Sequence, residues 1–241
     1  MNQKITRFAR PLLAVGILLL AARGASAIEV VEGAQYKLLE PAQPAEFAAP
    51  GKVEVVEVFW YACSHCFTIE PKIEAWIKKG RPAYVDFVRV PATWNDMLKT
   101  HARVFYTAEL LGKLPQLHEE IFREINLKGN RMDTPASIEA FFVSHGVSRA
   151  DFQKAFASFA VESKVRRAED LNRRYKITGT PTFVVAGKYV TEVAMAATLV
   201  GSAPGAASDP EDALFQVVNA LAAKEKPAQK PAQKPAQKPA H

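Results

Sequence analysis

Val53–Cys66 reads Val-Glu-Val-Val-Glu-Val-Phe-Trp-Tyr-Ala-Cys-Ser-His-Cys, and the fold turns on how this stretch is read. Up to Tyr61 it is rich in Val and aromatics, the character of a buried central strand. Beyond it, Phe67, Ile69, Ile73, Trp76 and Ile77 recur at helical spacing. Cys63-Ser64-His65-Cys66 therefore stands at a strand-to-helix junction. A thiol there meets the amides of a helix N-terminus, which favour a thiolate, and its partner is near enough to close a small ring. An imidazole stands between the two sulfurs. The arrangement points to thiol–disulfide exchange.

Two duller readings compete with this one. A tetrahedral metal site needs about four ligands, but the chain has only these two cysteines. His101, His118, His145 and His241 are scattered, with no pair at ligand spacing. An inert structural disulfide is the other option, but so short a loop adds little stability to a domain of this size. No metal or cofactor is expected beyond a redox-active cysteine pair.

The two ends of the chain carry their own signals. Residues 1–27 have a basic start at Lys4, Arg7 and Arg10, an apolar stretch Pro11–Ala22, and a small-residue site Ala25-Ser26-Ala27. That is the pattern of a cleaved secretory signal, too short and too closely followed by Arg23 for a membrane anchor. It places the mature chain in an oxidising compartment, the bacterial periplasm. At the other end, Lys226–Ala240 repeats Lys-Pro-Ala-Gln three times and ends Lys-Pro-Ala. Proline at every fourth position forbids helix or central strand, so residues 224–241 read as a disordered, solvated tail. Electrostatic attachment to an anionic surface is the functional alternative.

These ends also account for the charge. The net charge is +6, of which residues 1–27 supply +4 and residues 224–241 another +4. Residues 28–223 are left mildly acidic, at about −2, so the high pI is no sign of nucleic-acid binding. No phosphate-cradling glycine loop and no Ser/His/Asp arrangement stands out. Some 196 residues are ample for a hydrophobic core.

The predicted order is an edge strand at Tyr36–Leu39, the central strand, a helix from Ser64 to about Lys79 with a kink near Pro71, and a strand at Tyr84–Val90. Four or five helices follow between Ala92 and Tyr175, one of them opened by a variant capping box, Ser148-x-x-Asp151. Strands return at Thr182–Val185 and Tyr189–Val193, with Gly187 at the turn. Asp209-Pro210-Glu211 then starts a last helix to about Ala223. A βαβ half (28–91) and a ββα half (176–223) thus share one sheet, with residues 92–175 packed as an inserted helical subdomain.

With those residues in view, the chain resembles the DsbA-type thiol:disulfide oxidoreductases, a thioredoxin fold interrupted by helices. The resemblance covers most of residues 30–223. It rests on Phe59-Trp60-Tyr61-Ala62-Cys63-Ser64-His65-Cys66, Glu70, and Gly179-Thr180-Pro181-Thr182-Phe183. It implies an α/β fold, a central mixed sheet flanked by helices, with Cys63 as exposed nucleophile and Cys66 as buried partner. Pro181 would be a cis proline against the cysteine pair, and Glu57 a proton relay beneath it. Thr180 would offer backbone bonds to an extended client, with Ser64 beside it as a second client contact. His65 would favour the Cys63 thiolate by its charge or by donating to it. Ser64 departs from the pattern, since the strongly oxidising members carry proline there.

Glu54 and Glu57 lie an odd number of residues apart, so at most one faces the site. Glu70 reads as a surface residue of the helix, Phe59, Trp60 and Tyr61 as mainly core, and His101, His118 and His145 as structural or surface residues. The leading functional reading is a monomeric periplasmic oxidase that gives disulfides to reduced exported proteins. The resemblance implies a quinone-linked, DsbB-like membrane reoxidant. A reductase or isomerase is the second reading, though too few residues precede the central strand for an N-terminal dimerisation domain. A peptide-binding chaperone module with an incidental cysteine pair is the third.

Overall fold

A computed structural model of the chain describes residues 28–227. The signal-sequence reading and the repeat beyond Pro227 lie outside the described residues. β2 (Val53–Phe59) is buried along its whole length, as expected of a Val-rich strand inside a sheet covered on both faces. It pairs in parallel with β3 (Val85–Pro91), from Val53 opposite Val85 to Phe59 opposite Pro91. On its other side it runs antiparallel to β4 (Thr182–Val185). β5 (Tyr189–Thr191) and the two-residue β1 (Lys37–Leu38) complete a mixed sheet in the order β1-β5-β4-β2-β3.

Alternation along β2 divides the core. Val53 and Val55 face Ile69 and Ile73 of α1 (Ser64–Ala75) and Leu214, Val218 and Leu221 of α8 (Pro210–Lys224). Val56 and Val58 face the other way. They meet Ala102 and Phe105 of α2 (Asp96–Leu110), Phe122 of α3 (Leu114–Asn126) and Leu171 of α6 (Phe159–Arg174). α4 (Pro135–Ser144) and α5 (Arg149–Phe156) close this helical layer, which lies between β3 and β4 in the chain.

Short polar residues start the helices as their sequence positions suggest. Asn95 Oδ1 accepts from the Leu98 amide at 3.0 Å, and Asp209 Oδ1 from the Asp212 amide at 2.9 Å. Ser148 Oγ accepts from Asp151 N at 3.1 Å, the N-cap half of the predicted box, and donates to Asp151 Oδ2 at 2.6 Å in place of the reciprocal main-chain bond. Each such cap is worth about 1 kcal/mol. Gly187 turns β4 into β5 at a φ of 63°, where an added Cβ would run into the Gln43 carbonyl.

α1 continues through Pro71 and gives way to a π-helical turn at Trp76–Gly80. One local expectation is corrected. The strand predicted to reach Val193 stops at Thr191, because Val193 begins a short helix, α7 (Val193–Ala196). No helix among the described residues is long and apolar enough to cross a membrane.

Candidate active site

Cys63 is the N-cap of α1, held in an extended conformation (φ −85°, ψ 114°), and its Sγ accepts from the Cys66 amide at 3.4 Å. Both cysteines are free thiols, Cys63 half-buried and Cys66 buried. Pro181 follows Thr180 through a cis peptide bond, as predicted. The second half of the chain lies against the nucleophile here, with Cys63 Sγ 3.3 Å from the Thr180 carbonyl oxygen.

The two thiols are driven apart in acidity. Cys63 is lowered to about 5, chiefly because the Cys66 thiol donates to its sulfur. Partial burial opposes that shift, while Thr180 and the Cys66 and His65 amides reinforce it. Cys66 is pushed well above the ordinary thiol range, first by burial and then by the neighbouring Cys63 sulfur. One sulfur is thus prepared to carry charge and the other to hold its proton.

His65 sits on the first turn of α1 and lends Cys63 its main-chain N–H. Its side chain is exposed, with no imidazole hydrogen bond to the sulfur among the described contacts. The same geometry bears on Ser64. The amides that stabilise Cys63 belong to Cys66 and His65, whereas Ser64 is the first helical residue, a position that tolerates proline. Cys63 already has the extended backbone that a following proline demands. Ser64→Pro is therefore expected to move the Cys63 pKa by less than about one unit, read from thiolate ultraviolet absorbance against pH. A shift of two units or more would overturn this account of the donors.

Beneath the thiols lies a buried charge cluster. Glu57 is fully buried on β2, with Oε2 3.3 Å from Arg89 Nε, an ion-pair distance without hydrogen-bond alignment. Burial raises Glu57 to about 8 against the pull of Arg89, so it stays largely protonated at neutral pH; the Cys63 sulfur adds to that rise, and an ionised Glu57 would in turn push Cys66 upward. Glu54, on the opposite face, accepts from the Glu46 and Ala48 amides at 2.9 and 3.0 Å and ties down that loop instead.

Glu70 is corrected from surface to interior. It is buried, accepts from Arg89 Nη2 at 2.6 Å, and is raised by that burial to about 7. Glu74 also meets Arg89 at 3.0 Å, and His118 Nε2 lies 3.6 Å from Glu70. His118 Nδ1 is 2.8 Å from the Tyr61 hydroxyl, and burial lowers its pKa well below the ordinary range. Helical periodicity hides Glu70. Arg89 sits opposite Glu57 in the β2–β3 register, and that pairing is the signal that could have found it.

Two further contacts position the segment before Cys63. Asn126 Nδ2 donates to the Tyr61 carbonyl at 2.8 Å. Trp60 Nε1 donates to His101 Nδ1 at 2.9 Å, and His101 Nε2 lies 2.9 Å from the Arg131 carbonyl. Phe59 and Tyr61 are core, as expected, and Trp60 is half-buried. Beside α1 runs a groove of about 400 Å³, lined by His65, Thr68, Thr180, Pro181, Glu192 and Pro210 among others. Among the described residues, no three His, Cys, Asp or Glu side chains are grouped to hold a metal ion.

Comparison with known proteins agrees with this geometry. Residues 85–204 match the family model described as a DSBA-like thioredoxin domain. The thiol:disulfide interchange protein DsbA of Pseudomonas syringae pv. tomato is 36% identical over 217 residues, 90% of this chain and 94% of that protein. DsbA of Azotobacter vinelandii is 38% identical over 86% of this chain and 90% of its own length. The crystal structure of Pseudomonas aeruginosa DsbA superposes with a TM-score of 0.70 at 33% identity, covering 80% of this chain and 93% of that one. By fold, by the cysteine pair facing a cis proline, and by likeness along nearly its whole length, the chain belongs to the DsbA family of thiol:disulfide interchange proteins.

Proposed function

We propose that the protein is a periplasmic oxidase that gives the Cys63–Cys66 disulfide to reduced exported proteins. The observation that carries the direction of transfer is the Cys63 thiol, lowered to about 5 beside a Cys66 pushed upward. A client thiolate attacks Sγ of Cys63, the bond to Cys66 breaks, and the departing Cys66 sulfur takes up a proton. Glu57, neutral at about 8 beneath the pair, is the donor in this reading. A second client thiol then loses its proton and attacks the client sulfur of the mixed disulfide. Cys63 leaves as a thiolate, which its low pKa favours. The client has lost two electrons and two protons, one proton restoring Glu57 and the other passing to solvent, and the enzyme is left reduced, with Cys66 a thiol and Cys63 a thiolate. A quinone-linked membrane partner would restore the disulfide.

The groove beside Pro181 is the place for the client. Thr180 would supply backbone bonds to an extended segment, with His65 on the groove wall and Ser64, next to Cys63 in the chain, as a further client contact. Cys63, Cys66, Pro181, Glu57, His65, Thr180 and Ser64 thereby receive their roles in the reaction.

Stability gives the test. The folded-state pKa of Cys63 lies below its unfolded value, so the stabilisation of the dithiol form is present at high pH and lost as pH falls through about 5. At pH 7 the upper bound is about 3 kcal/mol, and screening of the half-exposed thiol reduces it to about 1 kcal/mol. The reduced protein is expected to outlast the oxidised one in denaturant at neutral pH, with the gap narrowing toward pH 5. In a glutathione redox buffer, the pair should show a potential well above the glutathione range. A potential near that of thioredoxin, with no excess stability of the dithiol form, would favour a reductase or isomerase.

A further inference from the structure

We propose that Glu192 and Glu211 tune the groove beside Pro181 to client segments that carry Lys or Arg about four residues from the reacting cysteine. The inference rests on the oxidase reading and adds a charge preference to it. α1 supplies Thr68 and Ile69 to the groove wall, the N-cap of α7 supplies Glu192, and the first turn of α8 supplies Glu211. Most of the remaining lining is apolar, and no Lys or Arg among the described residues lines it. Its ionisable side chains are His65, Glu192 and Glu211.

These carboxylates are under-neutralised. Lys72, on α1, pairs with Glu211, its Nζ 3.8 Å from Oε2. The same Nζ lies 2.6 Å from Asp209 Oδ1 and 3.3 Å from Asp212 Oδ1. One positive charge against three negative leaves −2 at the start of α8, of which the helix amides offset about half a charge. Glu192 is exposed, and its side chain makes no ion pair and no hydrogen bond among the described residues. Lys37 and Lys176 border a smaller pocket that Glu192 also lines, on the β1–β5 side. Neither pairs with Glu192, and Lys176 Nζ donates to the Glu40 carbonyl at 2.5 Å.

A client that fills the groove takes water from both carboxylates. An acidic side chain there is repelled, and a neutral segment leaves the carboxylates without a partner. Lys or Arg avoids both costs, its aliphatic stem against Ile69, Val193 and Ala197 and its charged head at the acids. The position along the client follows from α1. From Cys63 to Lys72, the residue paired with Glu211, the helix covers roughly 14 Å, the length of about four extended residues. Charge in such a groove acts chiefly on encounter, so the preference belongs to kcat/KM and weakens with salt.

The test mixes the oxidised chain lacking residues 1–27 with reduced two-cysteine peptides in a Gly/Ser background. Each peptide carries Lys, Gln or Glu at the third and fourth positions outward from both cysteines. Acid quench and mass spectrometry then give the second-order rate of peptide oxidation. At low salt the order should be Lys, Gln, Glu, with Lys over Glu on the order of 10-fold, and the gap should close at high salt. Glu192→Gln together with Glu211→Gln should bring that ratio to within about 2-fold. The same charge change at Glu119 and Glu120 should leave it at the parent value, since α3 packs on the other face of the sheet from α8. Dithiothreitol, too small to span the groove, reports the cysteine exchange alone. Equal rates for the Lys and Glu peptides, a ratio that survives the groove replacements, or one that falls equally with Glu119 and Glu120 would each overturn the proposal. A normal dithiothreitol rate in those cases leaves the oxidase reading standing, whereas failure with dithiothreitol as well removes both.

Discussion

Cys63→Ser is expected to reduce disulfide transfer to the uncatalysed background, a loss of at least about 1000-fold, the scale on which removing a nucleophile registers. The hydroxyl cannot form the mixed disulfide, and the remaining Cys66 is buried and held protonated. Cys66→Ser should behave differently. Cys63 keeps its main-chain donors but loses the Cys66 thiol that contributes most to its acidity, so its pKa should rise. It should still attack a disulfide and then remain bound to the client, because no resolving sulfur follows. Mass spectrometry of the variant after incubation with a disulfide-containing peptide reads this directly as a covalent adduct. Full transfer by Cys63→Ser would abandon the redox reading for that of a peptide-binding module.

The next largest effects are expected from the buried carboxyls. Glu57 is raised from 4.5 to about 8 by burial, so across that window the unfolded chain has released a proton that the folded chain keeps. Stability therefore falls as pH rises, by at most about 5 kcal/mol across the window. Glu57→Gln removes that slope: the variant should match the parent near pH 5 and exceed it near pH 8 in denaturant unfolding. If Glu57 also relays the Cys66 proton, the same variant loses the step in the pH–rate profile near 8.

Arg89→Met does the converse. It strips the cation from three carboxylates and should cost about 3 kcal/mol near pH 8, and less near pH 5, where Glu57 and Glu70 are both protonated. A loss independent of pH would mean that Arg89 matters only for packing.

What the sequence disclosed and what it concealed follow from range. Period-two and helical patterns are local, so the β2–α1 junction, the ββα unit and the helix caps at Ser148 and Asp209 are legible from neighbouring residues. Pro181 is legible because its setting is short and it accompanies the cysteine pair. Glu70 is not, since its burial depends on Arg89 from β3 and His118 from α3, and no local pattern brings those three together. His65 shows the opposite limit. Its position between the cysteines suggests an imidazole donor, but side-chain direction on the first turn of α1 cannot be read from adjacency. The π-helical turn at Trp76–Gly80 is equally non-local, because Trp76 stacks on Phe215 and donates to Asn219 of α8.

Asn126 and His101 lie on the helices between β3 and β4, and they hold the Tyr61 carbonyl and the Trp60 indole, two and three residues before the nucleophile. These helices are thus more than cargo carried by the sheet. Grafting them from one family member onto another would splice two halves of a single fitting, and a chimera should need both sides of the seam, residues 60–61 together with 101 and 126, to come from the same parent.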